Sequence, residues 1–125
     1  MEPAPRGEDK RHLLALYSAL DEAGDEFSLP VLRALVTIAI QPGLSINELA
    51  ERLGVPQQSA SRYAAVLLGR YSSQMSQGTG IALVAQAVNP DEPRKRSLYL
   101  TPAGLDRIQR ISNGMTARGE SNVRR

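Results

Sequence analysis

The sequence contains no cysteine and a single histidine, His12. Without cysteine there can be no disulfide, no thiolate metal site, no thiol redox sensor and no cysteine nucleophile. One histidine cannot build a histidine-based metal cluster. Long apolar runs are also missing, since nothing approaches the ~18–20 residues of a membrane span. The first residues, Met1 to Lys10, are polar and acidic and lack the apolar stretch of a signal peptide. These absences lead us to expect a cytoplasmic chain with no membrane partner, no metal and no cofactor.

The means for catalysis are equally sparse. The acidic pairs Asp21/Glu22 and Asp25/Glu26 are sequence neighbours, and adjacent residues on a helix do not face each other. They read as a solvated acidic face. Gly78-Thr79-Gly80 lacks the strand-then-helix context of a phosphate-cradling loop. His12, beside Arg11 near the start of a predicted helix, reads as a surface residue. No catalytic residue is assigned, and the chain is not expected to be an enzyme.

What is present fits one domain: 125 residues, 42% of them hydrophobic. The net charge is only +2, which by itself argues against a polyanion binder. Thirteen of the fifteen basic residues are Arg, however, and Arg grips phosphates and base edges bidentately. The charge is also divided along the chain. Residues 1–51 hold 4 basic and 9 acidic side chains, net −5, and residues 52–125 hold 11 and 4, net +7. Such asymmetry is a recognised hint of nucleic-acid contact.

Three segments are expected: a disordered N-terminus at 1–8, a folded domain at 9–113, and a disordered basic tail at 114–125. Leu13, Leu16, Tyr17 and Leu20 form one stripe on a helix over 9–23, with Gly24 as its C-cap. Residues 29–40 repeat the pattern, but Val31, Ile38 and Ile40 make this helix apolar nearly all round, so it belongs in the middle of the fold. Pro42-Gly43 ends it.

Ser45-Ile46-Asn47-Glu48 is a capping box that opens a short helix over 46–53. Gly54 ends that helix, and Pro56 stands at or near the first position of the next, over about 56–69. Here Ala60, Tyr63, Ala64 and Leu67 turn inward and leave Gln57, Gln58, Ser59, Ser61 and Arg62 outside. After a polar loop at 71–80, Ile81–Val88 reads as a strand, and Arg96–Leu100 alternates as a second. The turn-rich Asn89–Lys95 joins them as a long tip with a basic end. Thr101-Pro102 starts a last helix, striped by Leu105, Ile108 and Ile111 and ending near 113. The expected fold is mostly α with a small β-hairpin, in the order ααααββα. Leu32, Leu35, Leu49, Leu53, Leu67, Leu98, Leu100 and Ile108 should form the core.

The stretch from Leu49 to Tyr63 carries the functional signal. Two helices meet through a tight glycine turn, with the small Ala50 at their crossing and Leu49, Leu53 and Val55 filling the wedge. That is a helix-turn-helix, whose second helix enters the DNA major groove. Gln57 and Gln58 suit adenine, Arg62 suits guanine or a phosphate, and Ser59 and Ser61 suit a phosphate or any base edge. A hairpin with Arg94, Lys95 and Arg96 beside such a motif becomes a wing for the minor groove or backbone. The candidate DNA-binding set is Ser45, Pro56, Gln57, Gln58, Ser59, Ser61, Arg62, Arg70, Arg94, Lys95 and Arg96.

These residues resemble the MarR-type winged helix-turn-helix family over about 31–112. The similarity lies in the Ser45–Glu48 start, Leu49-Ala50, Leu53-Gly54-Val55, Ser61-Arg62, and the run from Arg94 to Gly104. The resemblance implies a dimeric transcriptional regulator, most often a repressor, that reads a pseudo-palindromic operator. It leaves open a small-molecule effector of unknown identity. The chain departs from the family at Ala60, at the longer 70–80 passage, at Glu92-Pro93-Arg94, and in terminal helices that read as short for the family's dimer. Two alternatives share the scaffold: a winged-helix protein-interaction module, and a phage or plasmid replication or copy-control factor.

Overall fold

The computed structural model describes residues 3–70 and 81–124, with the backbone alone for 117–124. The element order is α1 (Gly7–Ala23), α2 (Leu29–Ile40), α3 (Ile46–Leu53), α4 (Gln57–Leu67), β1 (Val84–Asn89), β2 (Glu92–Leu100) and α5 (Pro102–Arg124). The expected ααααββα order is therefore the observed one. The 71–80 loop, with Gly78-Thr79-Gly80, lies outside the described residues. No described helix is long and apolar enough to cross a membrane. The chain divides into two compact units, Glu26–Asp106 and the paired ends Met1–Asp25 with Arg107–Arg125.

In the Glu26–Asp106 unit, α2 starts where the Ser28 hydroxyl accepts a hydrogen bond from the Val31 amide at 3.4 Å. The helix buries Val31, Ala34, Leu35 and Ile38. Its apolar surface does not go entirely inside, because Leu29 and Ile40, at its two ends, are 64% and 78% exposed. Helix α3 occupies the predicted 46–53 and sends Leu49, Ala50 and Leu53 to the core. The Arg33 guanidinium of α2 donates to the Leu53 carbonyl at 3.4 Å and so satisfies an orphan acceptor at the end of α3. Helix α4 is shorter than predicted. Pro56 is its N-cap, with an extended ψ of 154°, rather than its first helical residue, and Leu68 closes it.

The hairpin is antiparallel, with Val84 opposite Leu100 and Val88 opposite Arg96. Its tip differs from the expected long connection. Strand β2 begins at Glu92, so only Pro90 and Asp91 form the turn. The Asn89 side chain accepts from the Asp91 amide at 2.9 Å, an Asx turn. Next to the Val88–Arg96 pair, Asn89 faces Glu92, leaving Pro93, Arg94 and Lys95 as an irregularity in β2. The irregularity takes up residues that sequence reading assigned to a loop.

The base of the hairpin is tied to the helices by backbone bonds. Gly43 N–H donates to Leu98 O, and Leu98 N–H donates to Leu44 O, each at 2.8 Å. Leu83 N–H donates to Leu67 O at 2.9 Å. Of the expected core, Leu35, Leu49, Leu53, Leu67 and Leu98 are buried, while Leu32, Leu100 and Ile108 are half-buried.

The other unit corrects one expectation, the end of the last helix. Helix α1 begins at Gly7 and buries Ser18, Ala19 and Ala23. The predicted apolar stripe of Leu13, Leu16, Tyr17 and Leu20 is present and is 44–61% exposed. Helix α5 does not stop near 113 but continues to Arg124. Gly114 does not end it, because its backbone is not left-handed. A Cβ there would lie 3.0 Å from Glu22 Cγ and 3.1 Å from Ser18 O. The missing side chain lets the two helices approach closely. Arg107 closes the same contact by donating to Ala23 O at 3.1 Å, at the end of α1.

Candidate nucleic-acid interface

Helix α3 is fixed by its reciprocal cap. The Ser45 hydroxyl accepts from Glu48 N–H at 3.2 Å, and Ser45 N–H donates to Glu48 Oε1 at 2.8 Å. At the other end Gly54 adopts the left-handed conformation, φ 70° and ψ 35°, that glycine reaches without steric cost. Its amide and that of Val55 donate back to the last carbonyls of α3, so the chain reverses at once into Pro56. No side chain caps the N-terminus of α4. The positive end of that helix dipole stays open to an anion.

This arrangement leaves Pro56, Gln57, Gln58, Ser61 and Arg62 exposed and Ser59 half-buried. Ala60, Ala64 and Leu67 are buried beneath them, and Tyr63 is half-buried, in keeping with a packing role. The outward face of α4 is thus the polar one that the sequence reading assigns to a partner.

A cleft of about 820 Å³ lies between the starts of α3 and α4 and the hairpin. It brings together Ser45, Gln57, Arg94, Lys95 and Arg96, five of the predicted site residues. Gln58, Ser59, Ser61 and Arg62 are not among its walls, although they follow Gln57 along α4. Arg70 is exposed after α4, and its guanidinium donates to Gln86 Oε1 at 3.3 Å. Gln86, itself a wall of the cleft, therefore connects Arg70 to this surface.

Two cleft residues escape the sequence reading. Asn47 sits in the first turn of α3, and Gln86 is the one polar side chain of β1 before its terminal Asn89. Gln86 interrupts the aliphatic run Val84–Val88, a signal that could have marked it. For Asn47 the capping box explained the segment without it.

The three basic wing residues are not equivalent. Arg94 and Arg96 are exposed, whereas Lys95 is half-buried and its Nζ lies 3.4 Å from Glu48 Oε1. The Glu48 carboxyl is held below its ordinary value, first by the Ser45 backbone N–H, then by the Ser45 side chain, and also by the Lys95 ammonium. Among the described residues no group of three or more His, Cys, Asp or Glu side chains could hold a metal ion.

Residues 26–70 match the MarR family model. The fold is similar to that of solved proteins over most of the chain. RV1404 from Mycobacterium tuberculosis superposes with a TM-score of 0.69 at 19% identity, covering 90% of this chain and 68% of that one. A MepR variant from S. aureus, bound to an oligodeoxyribonucleotide, gives 0.66 at 15% identity, covering 94% and 76%. The transcriptional repressor CouR, bound to a 23-mer DNA duplex, gives 0.59 at 20% identity, covering 92% and 74%. No curated protein sequence matches significantly. The matched segment contains the helix-turn-helix, α3 and α4, and the hairpin that follows shares its fold with these solved proteins.

Proposed function

We propose that this chain is a MarR-type winged helix-turn-helix protein, a cytoplasmic, double-stranded-DNA-binding transcriptional regulator that acts as a repressor. Helix α4 reads the major groove through Gln57, Gln58 and Arg62, with Pro56, Ser59 and Ser61 beside them. Arg94 and Arg96 carry the wing to the minor groove or backbone, while Ser45 and Arg70 flank the path of the strand. One observation carries this reading. The exposed polar start of α4 and the basic wing border one cleft, although 37 residues separate Gln57 from Arg94 in the sequence. The DNA-bound MepR variant and CouR, which share the fold, support it.

The chain acts as a homodimer in this proposal. The exposed Leu13, Leu16, Tyr17 and Leu20 stripe of α1 is apolar surface that a lone chain leaves in water. In α5, Leu105 and Met115 are also about half exposed. A two-fold dimer would bind half-sites about 10 bp, or a multiple of that, apart.

The test is selection of bound duplexes from a random pool. A pseudo-palindromic motif is the expected result. Absence of enrichment, together with no binding to random duplex at low salt, would refute the reading and favour a protein-interaction module.

A further inference from the structure

Lys95 lies in the part of β2 that the ladder does not hold. Leu98, three residues on, is fixed by backbone bonds to Gly43 and Leu44. Toward the tip, Pro93, Arg94 and Lys95 fall in the irregularity between the Arg96 and Glu92 pairings. Basic side chains there would ordinarily wave in solvent. The Lys95 side chain is only 33% exposed, however, and its ammonium sits 3.4 Å from Glu48 Oε1. That same oxygen accepts the Ser45 amide at 2.8 Å. The capping box has therefore already immobilised the carboxylate, so pairing freezes one long side chain rather than two.

We propose that Lys95 is a positioning residue: held on the Glu48 carboxylate, its ammonium ties the wing tip to the N-terminus of α3 and leaves Arg94 and Arg96 as the wing's phosphate-facing cations. This rests on the DNA-binding reading above and refines it. The tie fixes the distance between the wing and the start of α4, which sets whether both reach one duplex together. Lys95 itself, its charge matched by Glu48, then neutralises no phosphate.

The first experiment needs no DNA. Amide hydrogen exchange at Arg94–Arg96 reports local opening of the tip. Lys95→Gln should accelerate it by up to about fivefold, the scale of an exposed ion pair. Glu48→Gln, which keeps an acceptor for the Ser45 amide, should do the same. The double variant should be no faster than either single one, and Lys95→Arg should retain the protection. Unchanged exchange, or additive effects of the two substitutions, would overturn the tie.

The second experiment is a salt titration of duplex binding, in which each phosphate contact contributes about 0.9 to the slope. Lys95→Gln should weaken binding up to about fivefold and leave the slope unchanged. A slope lower by about 1 would make Lys95 a phosphate contact and overturn the assignment. If the wild-type chain binds no duplex even at low salt, the DNA reading itself falls and takes the positioning role with it, whatever the exchange rates.

Discussion

Replacing Gly104 by alanine should loosen the seam between the last helix and the base of the wing. Gly104 lies in the first turn of α5 and is buried. Its N–H donates to Thr101 Oγ1 at 3.0 Å, and that hydroxyl donates to Ala82 O at 2.7 Å. Thr101 N–H donates to Leu83 O at 3.0 Å. A Cβ at position 104 would overlap that same Leu83 carbonyl oxygen and press on Leu100 Cδ2 at 3.3 Å. The obstacle is backbone, so no rotamer change relieves it, and α5 must lift away from Leu83. Overpacking of this kind costs about 1–3 kcal/mol, and the strained Thr101–Leu83 bond adds about 1. The better helix propensity of alanine returns at most about 1 kcal/mol. The net expectation is a loss of about 2 kcal/mol. In urea that lowers the unfolding midpoint by roughly 1 M, measured at equal chain concentration. Gly114→Ala is the control. One of its two nearest obstacles, Glu22 Cγ, is part of a flexible side chain, and the gain in propensity offsets much of the remaining cost. It should stay within about 1 kcal/mol of wild type. A Gly104→Ala midpoint equal to wild type, or a larger loss for Gly114→Ala, would mean that the Leu83 contact yields freely and does not anchor α5.

Arg62→Ala should cost about 1–3 kcal/mol of binding and relax specificity at one base pair, and an unchanged selected motif would remove its base-reading role. Arg94→Ala should lower the slope of log K against log salt by about 1, and an unchanged slope would leave the wing out of phosphate contact. The Glu48 carboxyl is depressed below its ordinary 4.5. Its contribution to stability is then complete above that pH and is lost as the pH falls through the lower folded value. Glu48→Gln should therefore flatten the acid limb of the stability curve, and an unaltered limb would mean that the capping box does not hold this charge. Leu16→Glu on the exposed stripe of α1 should shift sedimentation toward the monomer, and a dimer unchanged by it would move the interface elsewhere.

The local elements were legible in the sequence because each carries its own punctuation. Ser45 and Thr101 start helices, Gly54 ends one, and the 3.6-residue period fills the spans between. These signals place α2 and α3 to the residue, and with them the helix-turn-helix. The Arg-rich second half of the chain and the outward polar face of α4 follow from residue types alone. The same reasoning misses the end of α5, because Gly114 resembles a stop until its contact with Ser18 is seen. It finds the α1 stripe but not its surroundings, since periodicity reveals an apolar face but not whether anything covers it within one chain.

Tertiary structure decided which charges are free. Arg94, Lys95 and Arg96 are consecutive and each carries one positive charge, so the sequence can only count them as three. The irregularity in β2 and the preset Glu48 carboxylate pair one of them and leave two exposed. The grouping of Ser45, Gln57, Gln86 and the wing around one cleft is likewise a product of the hairpin folding back beside α3 and α4. Local propensity and hydrophobic period are properties of short windows, so one sequence suffices to determine the elements. Ion pairing and cleft geometry depend on groups far apart in the chain arriving within a few ångströms, and only the folded backbone sets those distances.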